Sequence, residues 1–122
     1  MGYKYPSVPK NITEFRIPKE ISHAGKKYKV VKLGNNAFMD CDKLRNISIP
    51  DSITEIGEGA FRRNYELKTV EMTNSVKKIG GSAFSLCEKL NKITLSDNLI
   101  AIGDEAFYSC TALGKVKLPP KL

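Results

Sequence analysis

The side chains with the most reactive chemistry in this 122-residue sequence are three cysteines, Cys41, Cys87 and Cys110, and one histidine, His23. A zinc site gathers thiolates and imidazoles in close pairs, most often as Cys-x-x-Cys. Here the cysteines stand far too widely spaced for any such pair. A nucleophilic cysteine needs a base beside it and a third group to orient that base. His23 instead opens a polar stretch, His23-Ala24-Gly25-Lys26, that reads as a solvent-exposed turn. Gly80-Gly81 lacks the spacing of a phosphate loop. Without a nucleophile–base pair, a metal cluster or a recurrent carboxylate pair, the sequence reads as non-enzymatic, with no metal or other cofactor.

The gap from Cys41 to Cys87 is twice that from Cys87 to Cys110, and the shorter gap is the period of an internal repeat. Ala-Phe recurs at Ala37-Phe38, Ala60-Phe61, Ala83-Phe84 and Ala106-Phe107. The same step links Gly34, Gly57, Gly80 and Gly103, and also Leu44, Leu67, Leu90 and Leu113. It links Ile47, Val70, Ile93 and Val116, then Ile49, Met72, Leu95 and Leu118. Val30, Ile53, Val76 and Leu99 open four 23-residue units, 30–52, 53–75, 76–98 and 99–121. The thiols therefore form one column of small buried groups, with Asn64 as its polar substitute. Stacked neighbours such as Cys87 and Cys110 would run their side chains parallel, which suits disulfide geometry poorly. The Phe column is core stacking.

Each unit has to supply the elements that hold these columns. The segment Leu-x-x-Ile-x-Ile alternates and is β-branched, which predicts a short strand. One unit cannot bury that face, but stacked units can, with strands paired in parallel. The Gly column marks a turn with positive φ or a close backbone approach. Ala-Phe-x-x-Cys fits one or two short helical turns. Pro50 and Pro119 end their strands. Ile12-Thr13-Glu14-Phe15-Arg16-Ile17-Pro18 aligns with Leu44-Arg45-Asn46-Ile47-Ser48-Ile49-Pro50 as a half unit. The spacing from Ile17 to Val30 then holds nine residues more than the repeat allows, read as a β-hairpin over the first open edge. Residues 1–29 are thus a half repeat with its capping hairpin, and 30–122 a four-repeat array within a single domain. At Leu122 a fifth unit would begin, which suggests a piece of a longer array. An uncapped edge of Phe107, Leu113, Val116 and Leu118 would also permit edge-to-edge self-association.

Hydrophobic residues at 41% and charged residues at 27% fit an ordered chain rather than a disordered one. No apolar run approaches the roughly 20 residues of a membrane span, so membrane insertion is not expected. Residues 1–6 carry no apolar signal-peptide core, so an export signal is absent from this segment. The net charge of +7 favours acidic partners. On the strand face the outward positions include Arg45, Asn46, Lys68, Thr69, Glu71, Lys92, Thr94, Lys115 and Lys117, and these are the candidate ligand residues. Few aromatics interleave with the lysines, which argues against nucleic acid.

The unit Ile-Gly-x-x-Ala-Phe-x-x-Cys-x-x-Leu-x-x-Ile-x-Ile-Pro resembles the BspA-like, treponemal-type leucine-rich repeat across about residues 12–122. Asn64 for Cys, and Thr73 and Ser96 for Pro, are its departures. The resemblance implies a right-handed leucine-rich-repeat solenoid of secreted or cell-surface bacterial proteins. It implies adhesion and binding of host proteins, such as an extracellular-matrix protein, and brings no catalytic residues. A polyanion such as an acidic glycosaminoglycan, or a purely structural spacer role, are the alternative readings.

Overall fold

The computed structural model describes residues 11–122, so the reading of residues 1–6 lies outside the described residues. Ten short strands follow in chain order: β1 Glu14–Arg16, β2 Glu20–His23, β3 Lys26–Lys29, β4 Lys32–Leu33, β5 Asn46–Ile49, β6 Glu55–Ile56, β7 Thr69–Met72, β8 Lys78–Ile79, β9 Lys92–Ile93 and β10 Ala101–Ile102. Two parallel sheets result, ordered β1-β5-β7-β9 and β4-β6-β8-β10. Their register follows the repeat: Asn46 faces Thr69, Thr69 faces Lys92 and Glu55 faces Lys78, each partner one full repeat further along the chain. Between β1 and β5 the partners Glu14 and Asn46 are separated by the repeat plus the nine-residue insert. Within that insert β2 and β3 pair antiparallel, with His23 opposite Lys26. Ala24 and Gly25 make the two-residue turn at φ +52° and +75°, the backbone that a tight twisted hairpin requires. The hairpin reaches the core through half-buried Ile21 and pairs with neither parallel sheet.

The core is the set of repeat columns. Val30, Ile53, Val76 and Leu99 are fully buried, as are Leu44, Leu67 and Leu90. Phe38, Phe61, Phe84 and Phe107 stack with ring centroids 5.3, 5.2 and 5.4 Å apart and planes within 6°. Phe15 closes one end of the column, tilted 49° against Phe38 at 5.6 Å. Towards the other end Phe107, Leu113 and Val116 are half-buried and Leu118 is 65% exposed. Residues 113–118, expected as a strand, form none.

The Ala-Phe segment forms hydrogen-bonded turns instead of the expected short helical turns. Two columns lie in the left-handed region, Asn36, Gly59, Ser82 and Glu105 at φ +55 to +63°, and Asp40, Arg63, Leu86 and Ser109 at φ +56 to +64°. A left-handed residue at every fourth position cannot continue a right-handed helix. The backbone N–H groups that a helix would use internally cross to the next coil. Asn36 donates to the Glu58 carbonyl at 2.9 Å, Phe38 to Ala60 at 2.7 Å and Asp40 to Arg62 at 3.0 Å, and the two following coils repeat the pattern. The Gly column has no positive φ, so close approach is its reason. A Cβ on Gly80 would meet the Glu58 nitrogen at 2.6 Å.

Candidate functional site

The candidate ligand residues line the outward face of the first sheet and its rim. Inward Ile47, Val70 and Ile93 anchor its strands to the core, so their neighbours must point to solvent. Asn46 and Thr69 are half-buried, while Glu71, Lys92 and Thr94 are exposed. Arg45 and Lys68 sit one residue ahead of β5 and β7. Each of their carbonyls accepts two N–H groups from the next coil, which fixes the rim from which their exposed side chains leave. Lys115 and Lys117 flank half-buried Val116 beyond the last strand, so the structure places them at the end of the face rather than on a paired strand.

The acidic end of this face is wired. Asn46 Nδ2 donates to Glu14 Oε1 at 3.3 Å, Thr69 Oγ1 donates to Asn46 Oδ1, and Ser48 Oγ donates to Glu71 Oε2 at 3.0 Å. These bonds hold both carboxylates against neutral donors. The cations Arg45, Lys68, Lys92, Lys115 and Lys117 take no part in the ion pairs or side-chain hydrogen bonds of the described residues. At one corner a shallow groove of about 540 Å³ has Ile17, Pro18, Ile49, Pro50 and Met72 as its apolar lining, with Arg16 and the Lys19–Asp51 ion pair (3.0 Å) beside them. The groove joins the face through Arg16, Ser48 and Glu71. Of the candidate ligand residues only Glu71 reaches it, although two of its apolar residues, Pro18 and Pro50, fall at matching ends of the aligned units.

The thiols serve the core. Cys41, Cys87 and Cys110 are all buried, and no disulfide joins them. Cys87 Sγ donates to the Phe61 carbonyl at 3.3 Å and Cys110 Sγ to the Phe84 carbonyl at 3.1 Å. Burial pushes the Cys87 thiol up to about 12 and the Cys110 thiol up to about 11, so both stay protonated at neutral pH. Asn64 answers the same need. Its Nδ2 donates to the Phe38 and Phe61 carbonyls at 2.8 and 2.7 Å, and its Oδ1 is buried without a partner. His23 is exposed on the hairpin. Among the described residues no helix is long and apolar enough to cross a membrane.

The model of the BspA type leucine rich repeat region matches residues 31–122 in six copies. The chain belongs to the BspA-type leucine-rich-repeat family. Solved structures share the architecture of this BspA-type chain. A leucine rich cell surface protein from Faecalibacterium prausnitzii A2-165 is 34% identical with a TM-score of 0.87, over 98% of this chain and 32% of that one. A leucine-rich repeat protein from Bacteroides ovatus ATCC 8483 is 33% identical with a TM-score of 0.71, over 88% and 34%. The T. pallidum leucine rich repeat protein is 25% identical with a TM-score of 0.72, over 91% and 60%. This BspA-type chain therefore spans about a third of the length of the first two. No curated protein matches it.

Proposed function

We propose that this BspA-type chain is a non-catalytic protein-binding module of a bacterial surface protein, and that it holds its ligand on the outward face of the first sheet. The observation that carries this is the ladder itself. Residues 46, 69 and 92 lie side by side on the paired strands β5, β7 and β9, the first two held from both sides, so their side chains present a preorganised surface. Broad, rigid faces of this kind suit the extended surface of a macromolecule better than a small molecule, which needs an enclosed pocket. The cell-surface relative supports a location outside the cell, where adhesion to a host extracellular-matrix protein is the role.

The test is capture of host extracellular-matrix proteins by surface-immobilised chain, at low and high salt. Protein capture that survives high salt, and that falls in a Lys68→Ala/Lys92→Ala/Lys115→Ala variant, is the expected result. Capture of heparin alone, abolished by salt, would instead make this a glycan-binding face. No capture at all would leave a spacer.

A further inference from the structure

Five exposed cations of the outward face step obliquely across its coils as a diagonal, while a sixth, Arg16 on β1, stands off it beside the groove. Arg45 and Lys68 occupy successive coils in the rim column. Lys92 lies in the next coil and one column further in, because it pairs in register with Thr69 rather than with Lys68. Lys115 follows Lys92 by one repeat, and Lys117 stands two residues further along. Paired strands are about 4.8 Å apart and residues about 3.3 Å apart along a strand, so Arg45, Lys68 and Lys92 are about 5–6 Å apart at the backbone, and Lys115 and Lys117 continue the line beyond the last paired strand. All five are exposed. The acids near this surface are hydrogen-bonded or paired, Glu14 with Asn46, Glu71 with Ser48 and Glu66 beside the rim with Lys89 at 2.9 Å, and Glu66 also feels the charges of Arg45 and Lys68.

In an extended peptide every second side chain points the same way, with a spacing of about 6.7 Å. The flexible lysine side chains can take up the difference between that spacing and the shorter steps of the diagonal. We propose that the partner segment is an extended acidic peptide, with carboxylates at alternate positions, lying along Arg45, Lys68, Lys92, Lys115 and Lys117. The proposal rests on the protein-binding reading and names the chemistry of its partner. A peptide fits better than a sulfated glycan because Glu14 and Glu71 share the face. Both would repel a uniformly charged chain, whereas a peptide can set neutral residues against them. Four of the five cations are lysines, compact point charges suited to single carboxylates rather than to the bidentate grip of arginine on sulfate or phosphate.

The test uses fluorescence anisotropy with three labelled probes: a decapeptide alternating Asp and Ala, its Asn and Ala counterpart, and a heparin oligosaccharide. Three proteins are compared: the intact chain, a diagonal variant (Lys68→Gln/Lys92→Gln/Lys115→Gln), and an off-face variant of equal net charge (Lys26→Gln/Lys77→Gln/Lys78→Gln). Thermal melts confirm that both variants fold. The Asp peptide is expected to bind the intact chain and the Asn peptide not to. The diagonal variant weakens binding by about 10-fold or more, and the off-face variant by less than about 3-fold. Equal weakening by both variants would reduce the effect to net charge and overturn the proposal. If the Asp peptide fails while matrix-protein capture still depends on the strand face, the acidic partner is wrong and the binding module stands. If only heparin binds, and through the diagonal, both readings fall.

Discussion

Replacing one ring of the phenylalanine column measures what a coil contributes to its neighbours. Phe61 is fully buried and lies between Phe38 at 5.3 Å and Phe84 at 5.2 Å. Phe107 is half-buried and has one ring neighbour, Phe84, at 5.4 Å. Truncating a buried Phe to Ala costs about 3–5 kcal/mol, and each stacked ring pair accounts for about 0.5–1.5 kcal/mol of such a loss. Phe61→Ala is therefore expected to cost about 4 kcal/mol and Phe107→Ala about 2 kcal/mol. Urea unfolding followed by far-UV circular dichroism reads both, with the slope m compared so that loss of cooperativity is not mistaken for loss of stability. Because about 4 kcal/mol is a large part of a typical 5–15 kcal/mol total, Phe61→Leu serves as a milder companion. It keeps most of the volume and removes both ring contacts. Equal losses at positions 61 and 107 would refute the reasoning, since they would mean that the cost does not depend on the number of stacked neighbours.

Three further sets of outcomes follow from the packing between coils. Asn64→Cys is expected to stabilise the chain by up to about 1 kcal/mol, because it removes the unpartnered Oδ1 and can donate to the Phe38 carbonyl as Cys87 does to Phe61. Asn64→Ala, which makes neither bond, costs about 1–3 kcal/mol in the same denaturation assay. Gly80→Ala should lower stability by about 1–3 kcal/mol, since its Cβ strikes backbone at 2.6 Å. Gly81→Ala, with 3.3 Å to the nearest atom, should cost far less, and thermal melts compare the two. The thiols give a pH signature. Their folded pKa values are raised, to about 12 for Cys87 and about 11 for Cys110, from an ordinary 9.0. Their stabilising contribution is complete below about pH 9 and is lost as pH rises towards the folded values. Urea midpoints measured from pH 8 upward should fall, and replacing both cysteines by alanine should flatten that fall.

The constant repeat step made the coil register legible before any coordinate, because one column index fixes every parallel partner. It also located the hairpin, since nine surplus residues have to leave the stack. The turn segment misled for a physical reason. Its left-handed positions hold Asn36, Ser82, Glu105, Arg63 and Leu86, and nothing in such mixed side chains announces positive φ. At Asn36, Arg63, Ser82 and Leu86 a carbonyl of the neighbouring coil accepts the N–H, a tertiary bond that local pattern cannot contain. The second sheet, with strands as short as Lys32–Leu33, offers too few residues for alternation to register. On the binding face, alternation told which side chains point out. It did not tell which are spoken for, because the Glu14–Asn46 and Ser48–Glu71 bonds join residues on different coils.

The backbone hydrogen bonds donated by residues 36, 38 and 40 and their counterparts in the next two coils all run the same way, from N–H on one coil to carbonyl on the next. They lie along the stacking direction, and so do the aromatic contacts. A tension applied along the stack therefore acts on coil junctions in series, each carrying the full force, and the coils come away singly. A tension applied across the stack, along the strands, is shared by many bonds at once and has to shear them together. Tethered at its two ends the array is a compliant, stepwise-lengthening strap; gripped across its sheet it is stiff. Single-molecule pulling with paired attachment points in these two directions would separate the responses, as a sawtooth of small steps in the first and one larger rupture in the second.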